Sequence, residues 1–297
     1  MKMKTSTGSK VFDVLNLLFL LLFAFICAYP FYYIFLISVS DFNAAIRGRV
    51  VFWPVDLSLV AYRQLLLQPD VYNAFFISAA RAFTGTIITV VCSSYLAYVL
   101  SRNDLPFKRI IYRFVIVTMY VSAGLIPWYM TMKAIGLQNN FMLYIIPSAI
   151  GPFYVILVKT YIEQLPRAVE ESAKIDGADT FTIFFKIIIP LSIPIITTIA
   201  IFSAVHQWNS WQDNLFLVSR RELTTLQLLL FNYLNSTMAM GDVSKMKAMD
   251  LVGAARNMTP MTLRMAMSVI TVFPILFVYP VMQKYFIKGI VLGAVKG

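Results

Sequence analysis

Charge is scarce in this chain: of 297 residues only 13% are Asp, Glu, Lys or Arg, whereas 59% are hydrophobic. That scarcity, with apolar runs longer than the core helices of a soluble domain, excludes an ordinary water-soluble fold and predicts an all-α polytopic membrane protein. Histidine is reduced to one residue, His206, so no multi-His zinc centre can be assembled. Cysteine is nearly as rare. Cys27 and Cys92 both fall inside apolar runs, where they act as small apolar side chains; neither a disulfide framework nor a thiolate metal site follows, and the redox compartment stays open. No G-x-x-x-x-G-K loop is present, so the chain has no phosphate cradle and cannot hydrolyse ATP alone.

What is there is grease in lengths that fit a bilayer. About 20 apolar residues cross the hydrocarbon layer as a helix, which satisfies its own backbone groups where water cannot. Six runs qualify, at 14–38, 74–100, 111–132, 141–162, 184–206 and 262–287. Together they predict one transmembrane domain over 14–287, with cytoplasmic tails at 1–13 and 288–297 and a long external loop at 207–261. Lys2, Lys4 and Lys10 precede the first run as in a signal peptide, but the run is too long for one and is read as a retained helix, bent near Pro30.

The net charge of +11 would point to nucleic acid in a soluble protein; here it is read as membrane topology, with no nucleic-acid partner. SRNDLPFKRIIYR concentrates Arg102, Lys108, Arg109 and Arg113, whereas the basic residues assigned to the outside are mostly spread along one long loop. That density places both termini and the 163–183 segment in the cytoplasm of a cell whose inner membrane the chain spans.

The stretch EESAKIDGAD, residues 170–179, packs four carboxylates into ten residues. Arg167 to Ile175 suits a short helix, with Glu170 four before Lys174; Gly177 suits the left-handed residue that ends a helix, and Asp179 can cap the next one. An elbow over 166–190 results, which reads either as a plain cytoplasmic turn or as a docking surface.

The spacing resembles a known pattern. Glu171-Ser172-Ala173, Asp176-Gly177-Ala178, then Ile187, Ile189 and Pro190 are similar to the E-A-A…G…I-x-L-P loop in the permease subunits of ABC importers. AYVLSR at 97–102, LIPWYM at 125–130 and GLQNN at 136–140 are similar to the oligosaccharide branch, and the tail from Thr262 resembles a subgroup serving complex, often acidic, polysaccharide fragments such as those of alginate or pectin. Ser172 stands where the family pattern has alanine, and the segment at about 232–258 is longer and more polar than in the shortest relatives. The resemblance implies a type I importer permease fold, not itself an enzyme. It also implies two separate ATPase subunits holding ATP and Mg, a second related permease, and an extracytoplasmic sugar-binding protein. It further implies that Glu170, Glu171, Ser172, Ala173, Asp176, Gly177, Ala178 and Pro190 form the ATPase-coupling elbow, with Glu171 meeting a basic residue of the ATPase. An ion-gradient-driven secondary transporter is the alternative, but it predicts paired intramembrane carboxylates or inverted repeats, which the chain lacks.

For a sugar path the candidates are Arg81 and the run His206, Gln207, Trp208, Asn209 and Trp211, which Gln212, Asp213 and Asn214 extend. Amides and indoles hold sugars by hydrogen bonding and stacking, although the same run reads equally as an interfacial anchor. Arg81, about two turns into the second apolar run, is expected either to snorkel outward or to face the path and meet an anionic sugar.

Overall fold

The computed structural model describes residues 7–235 and 261–276, and among them every regular element is helical. The chain divides into two compact units, Met1–Gln68 with Asn232–Val272, and Pro69–Phe231 with Phe273–Gly297.

In the first unit, α1 (Thr7–Ser38) runs without a break through Pro30. Its most hydrophobic window is apolar on all sides, and among the described residues 0% of it is buried. A perimeter of that kind is stable only against lipid or another subunit. Two short helices follow, α2 (Phe42–Ile46), capped by the Asp41 carboxylate, and α3 (Val60–Leu66). Leu36, Ile37, Ala44, Ala45 and Val50 close a small core with Met261 and Met265.

The second unit is organised around α4 (Pro69–Ser101), a helix of 33 residues. Its buried face is a run of small side chains, Ser78, Gly85, Thr89, Ser93 and Ala97, which lets neighbouring backbones come close. Against it pack α7 (Pro152–Ile162) and α10 (Ile193–Asn209). Between α4 and α7 lie α5 (Lys108–Tyr120), α6 (Leu125–Ala134) and two 3₁₀ turns, Phe141–Tyr144 and Ile146–Ser148. After α7 come α8 (Arg167–Ile175) and α9 (Thr180–Leu191), whose middle, Phe184–Ile188, is a π turn. The chain continues through α11 (Gln212–Leu217) and α12 (Leu226–Asn235), and α13 (Met261–Leu276) closes the described residues.

Two of the apolar runs are not straight spans. The run at 111–132 breaks after Tyr120, with α5 and α6 at 119°, so that Pro127 falls in the first turn of α6, where its missing N–H costs nothing. The run at 184–206 bends by 88° at Ser192, between Pro190 and Pro194. By length and composition α1 and α4 are each able to cross a membrane alone, and up to five crossings result if each bent pair counts as one. The sixth run, 262–287, and the tails at 1–13 and 288–297 lie partly or wholly outside the described residues, as does most of 232–258.

Candidate functional site

Two sites are built on α4, one toward each end. The first is a cavity of about 980 Å³ lined by α4, α6, the 3₁₀ turns, the end of α10 and the start of α11. Arg81 forms its floor. The residue is only 3% exposed, and its guanidinium is satisfied from several sides. Nε donates to Gln207 Oε1 at 3.0 Å, Nη1 to the Ser210 carbonyl at 3.2 Å and to Asp213 Oδ1 at 3.0 Å, and Nη2 to Asp213 Oδ2. The Tyr144 ring lies beneath, 4.5 Å from the guanidinium carbon. Arg81 therefore does not snorkel; a buried cation has found a bidentate carboxylate, which is what an interior charge requires.

Gln207 links this pair to the opposite wall, donating from Nε2 to Ser148 Oγ at 2.6 Å. It can sit there because residue 85 is glycine: a Cβ on Gly85 would lie 2.5 Å from Gln207 Nε2. Of the candidates in the 206–211 run, His206, Gln207, Asn209 and Trp211 line this cavity, whereas Trp208 does not. Trp208 is buried and meets Phe75 edge-on at 6.0 Å, so of the run 206–211 it is a packing residue. Gln207 and Trp208 belong to the last turns of α10, and helix resumes at Gln212 and Leu226, so the described part of 207–261 is a set of short helices and turns.

Tyr144, Ser148 and Trp128 were not singled out by sequence reasoning as path residues, whereas Asp213 belongs to the polar run that begins at His206. What the sequence does not show is that Asp213, 132 positions away, is the counter-ion a buried Arg81 needs. Nothing in the local sequence marks Tyr144 or Ser148.

The second site is the elbow. α8 ends in a Schellman turn, in which Ala178 N–H reaches the Ala173 carbonyl at 3.0 Å and Gly177 N–H the Lys174 carbonyl at 3.1 Å, with Gly177 at φ +80°. Asp179 then caps α9, accepting from the Phe181 and Thr182 amides, each at 3.3 Å. A side-chain hydrogen bond from Thr182, joined by these amides, holds its carboxyl below the ordinary range. Aromatic packing fixes the elbow to the end of α4: Tyr95 stacks on Phe181 at 5.1 Å and Tyr98 on the fully buried Phe184 at 5.7 Å.

The coupling candidates divide by direction. Ala173 is buried in the core with Tyr98 and Phe184. Glu170 turns inward, accepting from Tyr98 Oη at 3.2 Å and pairing with Lys174 at 2.9 Å. Glu171, Ser172, Asp176 and Gly177 are exposed, with Ile175 beside them 86% exposed. Ala178 is half-buried. Pro190 is exposed, and the sharp bend falls two residues later, at Ser192. Arg102, at the end of α4, donates to Thr180 Oγ1 at 2.8 Å and pairs with Asp104. That hydrogen-bonded pairing pushes the Asp104 carboxyl down to about 2. A smaller cleft of about 220 Å³, lined by Arg102, Asp104, Arg167, Glu170, Glu171 and Lys174 among others, runs along this face. Among the described residues no group of three or more His, Cys, Asp or Glu side chains is placed to hold a metal ion.

Residues 90–291 match the family described as "Binding-protein-dependent transport system inner membrane component". The chain is 36% identical over 290 residues to the polygalacturonan/rhamnogalacturonan transport system permease protein YtcP of Bacillus subtilis (strain 168), covering 97% of this chain and 99% of that one. It is 32% identical over 297 residues to Protein LplC of the same organism, covering 99% and 98%. Among solved structures it is similar to a chain of a bacterial ABC transporter involved in the import of the acidic polysaccharide alginate, with a TM-score of 0.86, 29% identity, and coverage of 96% of this chain and 100% of that one.

Proposed function

The chain belongs to the family of binding-protein-dependent transport system inner membrane components, and from that membership we propose that it is the permease subunit of an ATP-driven importer of oligosaccharides, acidic ones in particular. In this reading the cavity at Arg81 lines the sugar path, and the exposed face of α8 docks on a separate ATPase. Two ATPases that bind ATP and Mg, a related second permease and an extracytoplasmic binding protein complete the complex. Six crossings with both termini in the cytoplasm give the topology.

The observation that carries this reading is the continuity of α4. Arg81 and Tyr98 lie on one unbroken helix, 17 residues apart, so the floor of the cavity and the aromatic anchor of the elbow are joined by about 26 Å of rigid backbone. Movement of the elbow by an ATPase therefore has a direct structural route to the cavity. Acidic cargo is supported by the names of the relatives, one a polygalacturonan/rhamnogalacturonan permease and one part of an alginate importer.

The test is co-purification and transport. Expressed with its cognate ATPase and permease partners, the chain brings down the ATPase, and proteoliposomes loaded with ATP take up oligosaccharide only when the binding protein is supplied outside. ATP-independent uptake driven by an ion gradient would overturn the proposal.

A further inference from the structure

Arg109 and Arg113 are used by neither the cavity nor the elbow. They lie four apart on α5, so both side chains leave the same face of the helix, with their roots about 6 Å from one another. Both are exposed. The opposite side of α5 is the one that packs: Val115 is buried, the Tyr112 ring lies 4.4 Å from Lys159 Nζ, and Lys108 donates to the Ser101 carbonyl at 2.9 Å. The carboxylates of the adjoining segments are already engaged. Asp104 pairs with Arg102, and Glu163 takes Lys159 at 2.7 Å and Lys108 at 3.8 Å. Over residues 101–113 and 159–163 five cations stand against two carboxylates, and the two arginines of the outer face carry the excess. Their charge does not titrate away.

Beside the arginines the outer face is apolar. Phe107, Ile110, Phe114 and Val117 are all exposed and recur at helical spacing. Phe107 is the most telling of them. It starts α5 in the left-handed backbone region, at φ +56°, a costly conformation for an aromatic residue, and its ring is 75% exposed, so burial within the chain does not offset that cost.

Fixed cations set beside an exposed apolar stripe, on a helix of a membrane-integral chain, match the polarity of a phospholipid. The planar fork of arginine fits the oxygens of a phosphate, and two forks one turn apart can share one phosphodiester. We propose that Arg109 and Arg113 form a binding site for the headgroup of an anionic phospholipid, whose acyl chain lies along Ile110, Phe114 and Val117. A zwitterionic lipid carries its own cation and gains less from this face, so the site selects for net negative charge. The inference needs only that the chain is membrane-integral, and it holds whatever sugar is carried.

The test uses the full complex purified in detergent and native mass spectrometry, with dioleoyl-phosphatidylglycerol as probe and dioleoyl-phosphatidylcholine as its uncharged counterpart. The wild-type complex is expected to retain one phosphatidylglycerol that the double variant Arg109→Gln with Arg113→Gln loses, its affinity falling about thirtyfold, or about fivefold for each arginine. Arg109→Lys with Arg113→Lys keeps part of that affinity, because the charge stays and only the fork is lost. Arg220→Gln with Arg221→Gln, an equal loss of exposed charge elsewhere, leaves it unchanged. Equal retention of phosphatidylcholine by the wild-type complex overturns the proposal without recourse to any variant. So does a phosphatidylglycerol affinity unaltered in the double glutamine variant, or lowered as much by the Arg220 and Arg221 changes. Displacement of the lipid by millimolar inorganic phosphate would make this a site for the free anion, and loss of a partner subunit from the double glutamine variant would make the face a protein interface; either result overturns the lipid assignment.

Discussion

Arg81 brings a full charge into the middle of a helical unit, and the chain meets its cost with geometry rather than with water. Removing one partner of such a pair leaves the other buried and unpaired, so Arg81→Ala is expected to destabilise the protein by about 3–5 kcal/mol. The double variant Arg81→Met with Asp213→Leu, which removes both charges, is expected to recover most of that loss. Thermal unfolding of the purified detergent-solubilised proteins distinguishes the two, and equal losses would show that the ion pair is not the reason. Gly85→Ala acts on the same cluster from below. Its new methyl group would lie within 2.7 Å of two Gln207 side-chain atoms, so Gln207 must give up either Arg81 or Ser148. The expected outcome is lower transport with little change in expression level. At the other end of α4, Asp104 is held down at about 2 by Arg102. A carboxyl lowered on folding adds stability above its ordinary value near 4 and loses it as pH falls toward its folded value. The Arg102 tether is therefore expected to persist at pH 5 and to weaken between about 4 and 2, followed by the carboxyl resonance of labelled Asp104.

The elbow depends on directions that short helices set. α8 has nine residues, so neighbouring positions 170 and 171 point about 100° apart, one into the unit and one away from it. Glu170→Gln is expected to weaken the Tyr98 and Lys174 contacts and lower thermal stability slightly, while Glu171→Lys leaves stability alone and reduces ATPase co-purification. Reversal of these two effects would mean that the exposed face is not the docking face. Gly177 has a conformational task and no steric one, because nothing lies within 4 Å of an added Cβ, yet φ is +80°. Gly177→Asn is accordingly expected to keep most uptake and Gly177→Val to lose it, since asparagine tolerates the left-handed region and a β-branched side chain does not. The elbow was legible in the sequence because capping, glycine and i,i+4 signals are all local. The Arg81 cluster was only half legible: its members come from positions 81, 144, 207 and 213, and pairing across such distances in sequence is decided by packing. The breaks at Tyr120 and Ser192 escaped the hydropathy reading because mean apolarity does not register a turn inside an apolar run, at Val121 to Gly124 in one case and at Ser192 between two prolines in the other.

At the scale of the molecule, α1 and the second unit answer different demands. A helix whose hydrophobic window is left uncovered by the described residues needs lipid or another subunit against it, in keeping with a membrane-integral chain. The proposed topology puts Ser172 and Ser219, both exposed, on opposite sides. With Cys27 and Cys92 replaced, Ser219→Cys is expected to react with an impermeant maleimide added to intact spheroplasts and Ser172→Cys only after lysis; the opposite pattern would invert the orientation. Considered mechanically, α4 is a lever arm with its pivot among the aromatics of the elbow. A tilt of about 10° there displaces the helix by about 4–5 Å at the level of Arg81, given about 26 Å between the two. That is more than the length of a hydrogen bond, so the Arg81–Asp213 pair cannot follow such a stroke unless α11 travels with it. Whether the two move together or part is a distance that paired spin labels on α4 and α11 would read directly during the ATP cycle.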